Sequence, residues 1–300
     1  MNAAIVSLHD AARSYVESSR SANTRRAYSC DWSAFVAWCR SRGCQPLPVS
    51  PADAALYLTH LAQSGRKVST VARALSSISD AHRAAGCESP RRSAEVRAVW
   101  RGISRQHGAE QRRAAPLLPE QLRLIVVGLA PRNRAILLLG FAGAMRRSEI
   151  ASLDLEDIVM VPDGARLHLQ RSKTDQEALG REIGIPFGAN PSTCPIAQLR
   201  AYMTMRGDTP GPLFPSRTGR RLDGRDIARL IKRACRTIGL DPARYSGHSL
   251  RVGLATAAAR AGKSERAIMA QTGHSSVVMV RKYIRSATLF SDNAAQGVGL

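Results

Sequence analysis

Apolar residues recur at helical spacing through the first third of the chain. Between Ser21 and Gly43, four apolar residues fall three or four positions apart, namely Tyr28, Trp32, Phe35 and Cys39. That spacing is typical of one buried helix face, and glycine commonly ends a helix. Similar patterns between serine or threonine and a later glycine predict helices at 50–65, 69–86 and 89–108. With a short helix near 7–18, they predict a bundle of four or five helices.

The second part of the chain predicts a different mixture of elements. Helical patterns begin at Leu118-Pro119-Glu120 and recur at 133–145, 193–206, 223–238, 248–261, 264–271 and 276–286. Short alternating segments at 158–161, 166–170 and 181–186 predict strands, the last two as a hairpin. The predicted fold class is therefore mainly α with a small antiparallel β-sheet, an α+β arrangement.

Residues 109–118 separate these two parts. They are mostly small, polar or basic, and they lack an apolar period. Three hundred residues is enough for two ordinary domains. We therefore expect a helical domain at 1–108, a linker at 109–118 and a second domain at 119–300.

The charge of the chain points to a polyanionic partner. The net charge is +21, and only five of the 44 basic residues are lysines. Arginine binds phosphate in a planar, bidentate way, so nucleic acid is the first expectation. GC-rich coding and a solvated surface remain an alternative source of arginine. Plausible contacts to the DNA backbone are Arg25, Arg26, Lys67 and Arg73, although a solvated face explains each about as well.

Other sequence features narrow the class of protein. The six cysteines form no CxxC pair and have no metal-ligand spacing, so we expect reduced thiols in a cytosolic protein. The longest apolar run, at 135–145, has 11 residues and is too short to span a membrane. The N-terminus has no signal-peptide pattern.

A set of separated residues in the second part combines cations, proton acceptors and a phenol: Arg146, Lys173, His248, Arg251, His274 and Tyr283. A phenol ordinarily has a pKa of about 10, so it is a poor nucleophile at neutral pH. Cationic and proton-accepting neighbours are the groups that its attack on a phosphodiester would recruit. The set therefore predicts DNA cleavage through a covalent phosphotyrosine link.

Each member of this set also has a simpler structural interpretation. Glu149 follows Arg146 by three positions, which suits either an orienting carboxylate or a helix-surface ion pair. His248 could be a capping histidine beside a surface Arg251. Tyr283 could be a half-buried aromatic side chain, the commoner fate of tyrosine.

The order of these residues resembles that of the tyrosine recombinase (phage integrase) family. The resemblance rests on Ser246-Gly-His-Ser-Leu-Arg-Val-Gly and Tyr283-Ile-Arg, and it covers most of 118–290. Several segments, including Ala259-Arg-Ala-Gly, are most similar to the Cre-like members. The segment Asn23-Thr-Arg-Arg-Ala-Tyr resembles the start of the family's core-binding (SAM-like) domain, which binds DNA.

The resemblance implies a role for each site residue: a phosphate clamp for Arg146 and Arg251, the acid that protonates the leaving 5′ oxygen for Lys173, the two family histidines for His248 and His274, the nucleophile for Tyr283 and a supporting carboxylate for Glu149. Cre-like members carry tryptophan where this chain has His274, although many other members carry histidine there. No metal and no cofactor is implied, since the phosphotyrosyl ester keeps the energy of the broken bond.

The resemblance also implies an activity and its partners. A site-specific recombinase of this type cuts and rejoins double-stranded DNA through a 3′-phosphotyrosyl intermediate and a Holliday junction. Its two domains form a C-shaped clamp, and monomers assemble into a homotetramer on paired sites, with residues 286–300 docking in trans. We expect a cytoplasmic location at a prokaryotic nucleoid or plasmid.

Three alternatives remain at this point. A type IB topoisomerase uses similar chemistry but acts alone and relaxes supercoils. A non-catalytic DNA-binding module could use the helices at 264–271 and 276–286, but it leaves Lys173, His248 and Arg251 unexplained. A histone-like basic protein would not need two well-packed domains.

Overall fold

The computed structural model describes Tyr15, residues 21–108, 114–169, 180–274 and 276–287, without the side chains of 285–287. The chain divides into two compact units, Met1–Arg112 and Arg113–Leu300. The helix expected near 7–18, apart from Tyr15, and the tail beyond 287 lie outside the described residues.

The first unit is helical, with α1 at Ala22–Arg42, α2 at Pro51–Gln63, α3 at Val68–Ala84 and α4 at Ala94–Gln106. Serine hydroxyls at the caps of α1 and α2 accept backbone N–H groups, as the sequence pattern indicates. The single helix expected at 89–108 is wrong in one detail. A 3₁₀ turn at Pro90–Arg92 comes first, and α4 begins only after Ser93, whose hydroxyl accepts the Val96 N–H at 3.1 Å.

Aromatic residues and one histidine are buried among aliphatic residues in the core of the first unit. Phe35 and Tyr57 are buried, with ring centroids 4.9 Å apart. His82 is fully buried, and its Nε2 accepts the Val49 N–H at 2.9 Å. Its Nδ1 donates to the Ile78 carbonyl at 2.8 Å. Both ring nitrogens are thereby satisfied, so a neutral imidazole fits this core without an unpaired polar atom.

The second unit combines helices with one sheet. Its helices are α5 at Pro119–Val127, α6 at Pro131–Ala142, α7 at Arg147–Ser152, α8 at Pro195–Arg206, α9 at Gly224–Thr237, α10 at Ser249–Arg260, α11 at Glu265–Thr272 and α12 at Val277–Ala287. Proline occupies the first position of several of them, where its missing N–H costs nothing. The fold is mainly α with a small antiparallel sheet, as expected. Within the described ranges, no helix is long and apolar enough to cross a bilayer.

The sheet has the order β1-β2-β3 and is antiparallel, with strands at Ile158–Val161, Gly164–Leu169 and Arg181–Pro186. Leu167 in β2 lies opposite both Ile158 and Ile183. Alternate residues of β2 and β3 are buried, which places one face of the sheet on the core of the unit.

Helix α6 ends three residues earlier than the apolar run suggests. Gly143 follows its last residue, and Ala144 has a φ of +46°, a left-handed conformation that breaks the helix. The chain then starts α7, a short helix that the sequence pattern did not predict. This turn places Arg146 at the N-cap of α7.

The later part of the expected linker belongs to the second unit. Leu117 is fully buried, and its N–H donates to the Ser249 carbonyl at 3.0 Å. A Cβ atom on Gly253 would collide with the Leu117 carbonyl oxygen, so the segment lies directly against α10. The last residues of the segment 109–118 thus pack on the second unit, where Leu117 contributes apolar area to the core.

Several arginines stabilise the fold through backbone carbonyls. Arg134 donates to the carbonyls of Val126 and Leu129, at the end of α5, at 2.9 and 3.1 Å. Arg206 binds the carbonyls of Gly207 and Pro212 at 2.9 and 2.8 Å. These side chains satisfy carbonyls at helix ends and in the adjoining loops, so part of the arginine content serves folding and not a polyanion.

Candidate active site

Arg146 and Glu149 form a reciprocal pair at the start of α7. The Arg146 Nη1 donates to Glu149 Oε1 at 2.6 Å, and the Arg146 backbone N–H donates to Glu149 Oε2 at 2.8 Å. The carboxylate is buried, with 1% of its side chain exposed, whereas Arg146 keeps 16%. The expected pairing at i, i+3 is present, but it is a buried contact and not a solvated surface one.

Arg251 is the largest fully buried side chain of the described residues, with 1% exposed. It lies in the first turn of α10, and its Nη1 donates to the Ala144 carbonyl at 2.9 Å. Its Nε and Nη2 are buried and have no hydrogen-bond partner among the described residues. Burial and the nearby Arg146 lower the pKa of Arg251 to about 10. A buried guanidinium with unused donors is suited to bind an anion.

His248 and Tyr283 face each other between α10 and α12. The Tyr283 hydroxyl lies 3.5 Å from His248 Nε2, a long contact of the kind that shortens when a substrate binds. Desolvation by surrounding atoms, then Arg251 and Arg146, lower the pKa of His248. A neutral His248 at neutral pH can accept a proton. The ring of Tyr283 packs on an apolar cluster that includes Val280 and Ile268, so only part of the side chain is exposed.

His274 comes after Gly273, the C-cap of α11, and packs against Tyr283, with ring centroids 5.8 Å apart. Its Nδ1 lies 2.7 Å from the Thr272 hydroxyl, which itself donates to the Ile268 carbonyl at 2.6 Å. The hydroxyl proton is already used, so His274 Nδ1 carries a proton and donates it. The Nε2 is left as the second functional atom. Burial, Arg251 and Arg146 lower the pKa of His274 to about 4.

A further arginine, Arg181, lies beside the same carboxylate and was not among the predicted site residues. It is the first residue of β3, and its Nη2 donates to Glu149 Oε2 at 3.3 Å. Its Nη1 donates to the Gln271 carbonyl at 3.0 Å. Burial lowers the pKa of Arg181, while the neighbouring Glu149 opposes that shift. A basic residue at a strand start carries no sequence signal of such a contact.

The remaining predicted residues belong to the first unit, apart from Lys173. Lys173 lies outside the described residues. Arg25, Arg26 and Lys67 are exposed on the first unit. Arg73 makes a bidentate ion pair with Asp31, at 2.7 and 3.1 Å, with about half of its side chain exposed (47%). That pair satisfies much of its hydrogen-bonding capacity within the first unit.

The arrangement concentrates positive charge beside a phenol. Arg146, Arg181 and Arg251 outnumber the carboxylate of Glu149, His248 lies 3.5 Å from the Tyr283 hydroxyl, and the His274 ring packs beside the Tyr283 ring. In a shielded environment such donors stabilise an anion more strongly than they would in water. A phosphodiester is an anion of suitable shape, and a phenol beside two guanidiniums is typical of enzymes that transfer DNA strands through tyrosine.

Comparisons with known proteins agree with this class. Residues 117–289 match the model of the phage integrase family, and residues 15–88 match its N-terminal SAM-like domain. The chain belongs to the phage integrase family. It is a tyrosine-type site-specific recombinase, an enzyme that binds DNA, cuts it and rejoins it.

Two curated relatives illustrate the similarity. The chain is 36% identical to an integrase/recombinase XerD homologue of Selenomonas ruminantium, over 94% of this chain and 87% of that one. It is 30% identical to the Cre recombinase of Escherichia phage P1, over 84% and 81%. Membership of the family is thus confirmed. The expected greatest similarity to Cre-like members is not confirmed, because the identity to the XerD homologue is higher.

A solved structure shows the same fold. A lambda integrase fragment, crystallised as a dimer bound to a core site, superposes with a TM-score of 0.63 over 88% of this chain and 89% of that chain. The two sequences are 22% identical, so the likeness concerns the fold alone.

Proposed function

We propose that Tyr283 is the nucleophile that joins this recombinase to DNA through a 3′-phosphotyrosyl ester. The observation that carries the proposal is the position of its hydroxyl, 3.5 Å from His248 Nε2 and beside a cluster of buried guanidiniums. The phenolic oxygen forms a bond to the scissile phosphorus, and the bond from phosphorus to the 5′ oxygen breaks. Its proton passes to neutral His248.

The leaving 5′ oxygen needs a proton, and Lys173 supplies it in this proposal. General-acid assistance of this kind is typically worth about 10²–10⁴ in rate. A 5′ hydroxyl of a partner strand then attacks the phosphotyrosyl ester and restores Tyr283. The ester keeps the energy of the original bond, so neither metal nor cofactor takes part.

Arg146, Arg251 and His274 stabilise the charge that develops on the non-bridging oxygens. Each donor aimed at that charge in a shielded site can contribute about 3 kcal/mol. The unused Nε and Nη2 of Arg251 support its assignment to the phosphate. Since His274 Nδ1 already donates to Thr272, His274 donates to phosphate from Nε2 as an imidazolium, which the phosphate charge favours. Glu149 orients Arg146.

The domain roles follow from the same proposal. Residues 1–108 are the core-binding domain, 109–118 the connection and 119–300 the catalytic domain, and the two domains clamp a DNA duplex. Arg25, Arg26 and Lys67 contact the DNA backbone, and Arg73 does so less directly because of its pair with Asp31. The enzyme acts in the cytoplasm, at a nucleoid or plasmid.

Strand exchange needs two duplexes and four active sites. We therefore propose a monomer in free solution and a homotetramer on paired sites, with a Holliday junction as the intermediate. An apolar cavity of about 670 Å³ in the second unit, lined in part by Phe141, Ala258 and Ile268, supports a docking site for the tail 286–300 of a second copy. Deleting that tail should retain cleavage of one site but abolish assembly on paired sites.

A suicide substrate tests the chemistry. In DNA nicked just beyond the scissile phosphate, cleavage releases the short fragment that carries the new 5′ hydroxyl, and its loss traps the covalent adduct. Tyr283→Phe should retain DNA binding and form no adduct. A persistent adduct would show that another residue is the nucleophile.

A second substrate isolates the role of Lys173. With sulfur in place of the bridging 5′ oxygen, the leaving group needs no proton. Lys173→Ala should then cleave at nearly the wild-type rate, whereas on normal DNA it should be much slower. Equal impairment on both substrates would remove Lys173 from the acid role.

A further inference from the structure

Arg181 connects two parts of the candidate site that come from distant places in the sequence. Its Nη2 donates to Glu149, the carboxylate that binds Arg146, and its Nη1 donates to the carbonyl of Gln271, three residues before His274. Only 17% of the Arg181 side chain is exposed. One planar guanidinium thus spans both contacts, which a compact ammonium group cannot do at once.

The turn that carries His274 is shaped around this guanidinium. Gly273 ends α11 with a φ of +62°, a left-handed conformation that favours glycine. A Cβ atom there would lie 2.8 Å from Arg181 Nη1 and 3.0 Å from its Cζ. The Gly273 backbone therefore packs directly on Arg181, and His274 follows in the next position.

Gln271 extends the same connection to the core. Its side-chain amide donates to the carbonyls of Ala142, at 2.8 Å, and Gly184, at 3.1 Å. The end of α11 is thereby held against the end of α6 and against β3. Arg181 adds the bond that joins this assembly to Glu149, so the position of His274 becomes coupled to that of Arg146.

We propose that Arg181 is a positioning residue for DNA cleavage, acting through Glu149 on Arg146 and through the Gln271–Gly273 turn on His274. This inference rests on the proposed function of those residues. Each terminal nitrogen of Arg181 already donates in one of these bonds. Through them, Arg181 acts on the orientation of the groups that touch the phosphate.

The test compares Arg181→Met, Arg181→Lys and Arg166→Met in single-turnover cleavage of the suicide substrate. Arg166 is a matched control, since it lies on the neighbouring strand β2 with 63% exposure and a long 3.5 Å pair to Glu182. Misplacement of catalytic groups by about 1 Å costs on the order of 10² in rate, so Arg181→Met should cleave about 10²-fold more slowly. DNA affinity should stay unchanged. Arg181→Lys should recover part of the rate, and Arg166→Met should match the wild type.

The pH dependence separates positioning from a merely structural role. Arg181 is one of the cations that lower the pKa of His274, after burial and the other arginines. One limb of the pH–rate profile should report the titration of His274 and should be absent in His274→Gln. That limb should therefore move to higher pH in Arg181→Met and return towards its original position in Arg181→Lys. A wild-type profile and rate in Arg181→Met would overturn the inference.

Gly273→Ala supplies a second variant that leaves every charge in place. Its methyl group would displace the guanidinium or the turn, so it should slow cleavage without changing DNA affinity, even if Arg181→Met folds poorly. Wild-type cleavage by Gly273→Ala would count against the inference. Absence of a Tyr283 adduct in the wild-type enzyme would instead overturn the proposed function, so the two failures are distinguishable.

Discussion

Glu149→Gln removes one buried negative charge from between two guanidiniums while keeping the shape of the side chain. The carboxylate accepts from Arg146 Nη1 and N–H at 2.6 and 2.8 Å and from Arg181 Nη2 at 3.3 Å. Breaking a buried ion pair by removing one partner costs about 3–5 kcal/mol. Because glutamine still offers one oxygen to these donors, we expect a loss of about 3 kcal/mol, the lower end of that range.

The tryptophans make this loss assignable to one unit. All three, Trp32, Trp38 and Trp100, lie in Met1–Arg112. Thermal unfolding of Glu149→Gln, followed by circular dichroism, should show the transition of the second unit lowered by about 9 °C, at roughly 3 °C per kcal/mol for a unit of this size. The tryptophan-fluorescence transition should not move.

The same variant should change DNA binding in the opposite direction. Two guanidiniums without their carboxylate attract phosphate more strongly, so affinity for a half-site duplex should rise and its salt dependence should steepen. Cleavage should nevertheless slow, because Arg146 loses the group that orients it. Glu182→Gln is the matched control, a 57% exposed glutamate that follows Arg181 in β3. An unchanged dichroism transition in Glu149→Gln would refute the compensating role of the carboxylate.

Further predictions concern packing and protonation. In Gly253→Ala the second unit should unfold at a much lower temperature, because the added Cβ would collide with the Leu117 backbone. The control Gly184→Ala, which has open space around its Cβ, should leave the unfolding temperature unchanged. His82→Ala leaves the Val49 N–H unpaired and opens a cavity, so the tryptophan-detected urea midpoint should fall, at a cost of about 2–4 kcal/mol. The pKa of His274 is lowered to about 4 in the folded protein, so its contribution to stability is complete above about pH 6.5 and is lost as the pH falls towards 4. Dichroism melts at pH 5 and 7 should differ less in His274→Gln than in the wild type, and equal differences would contradict this assignment. Phosphate raises the same pKa, so calorimetry at pH 6 in buffers of different ionisation enthalpy should detect proton uptake when DNA binds.

Local patterns in the sequence predicted most of the elements because caps and apolar spacing act within a few residues. Helix α1 begins after Ser21 and ends before Gly43, as expected, and strand β3 covers the predicted residues. The misses have non-local causes. Leu117 can be buried against α10 because Gly253 has no side chain at the point of contact. Helix α6 ends early because Ala144 adopts a left-handed conformation.

The candidate site was predictable only where residue type and order carry chemistry. Arg146, His248, Arg251 and Tyr283 stand in a characteristic order, and the fold brings them together. Arg181 stands at a strand start like many surface arginines, and only the tertiary fold brings it to Glu149, 32 positions earlier in the chain. The net charge of the chain predicted a polyanionic partner, but the donors of Arg134 and Arg206 bind backbone carbonyls instead.

In the proposed reaction, one phenolic oxygen becomes bonded to the broken DNA strand. Mass spectrometry of the trapped adduct, after nuclease and protease digestion, identifies the attached residue directly. We predict a nucleotide linked through its 3′ phosphate to the peptide that contains Tyr283. A nucleotide on any other residue, or a 5′ linkage, would contradict the proposed chemistry.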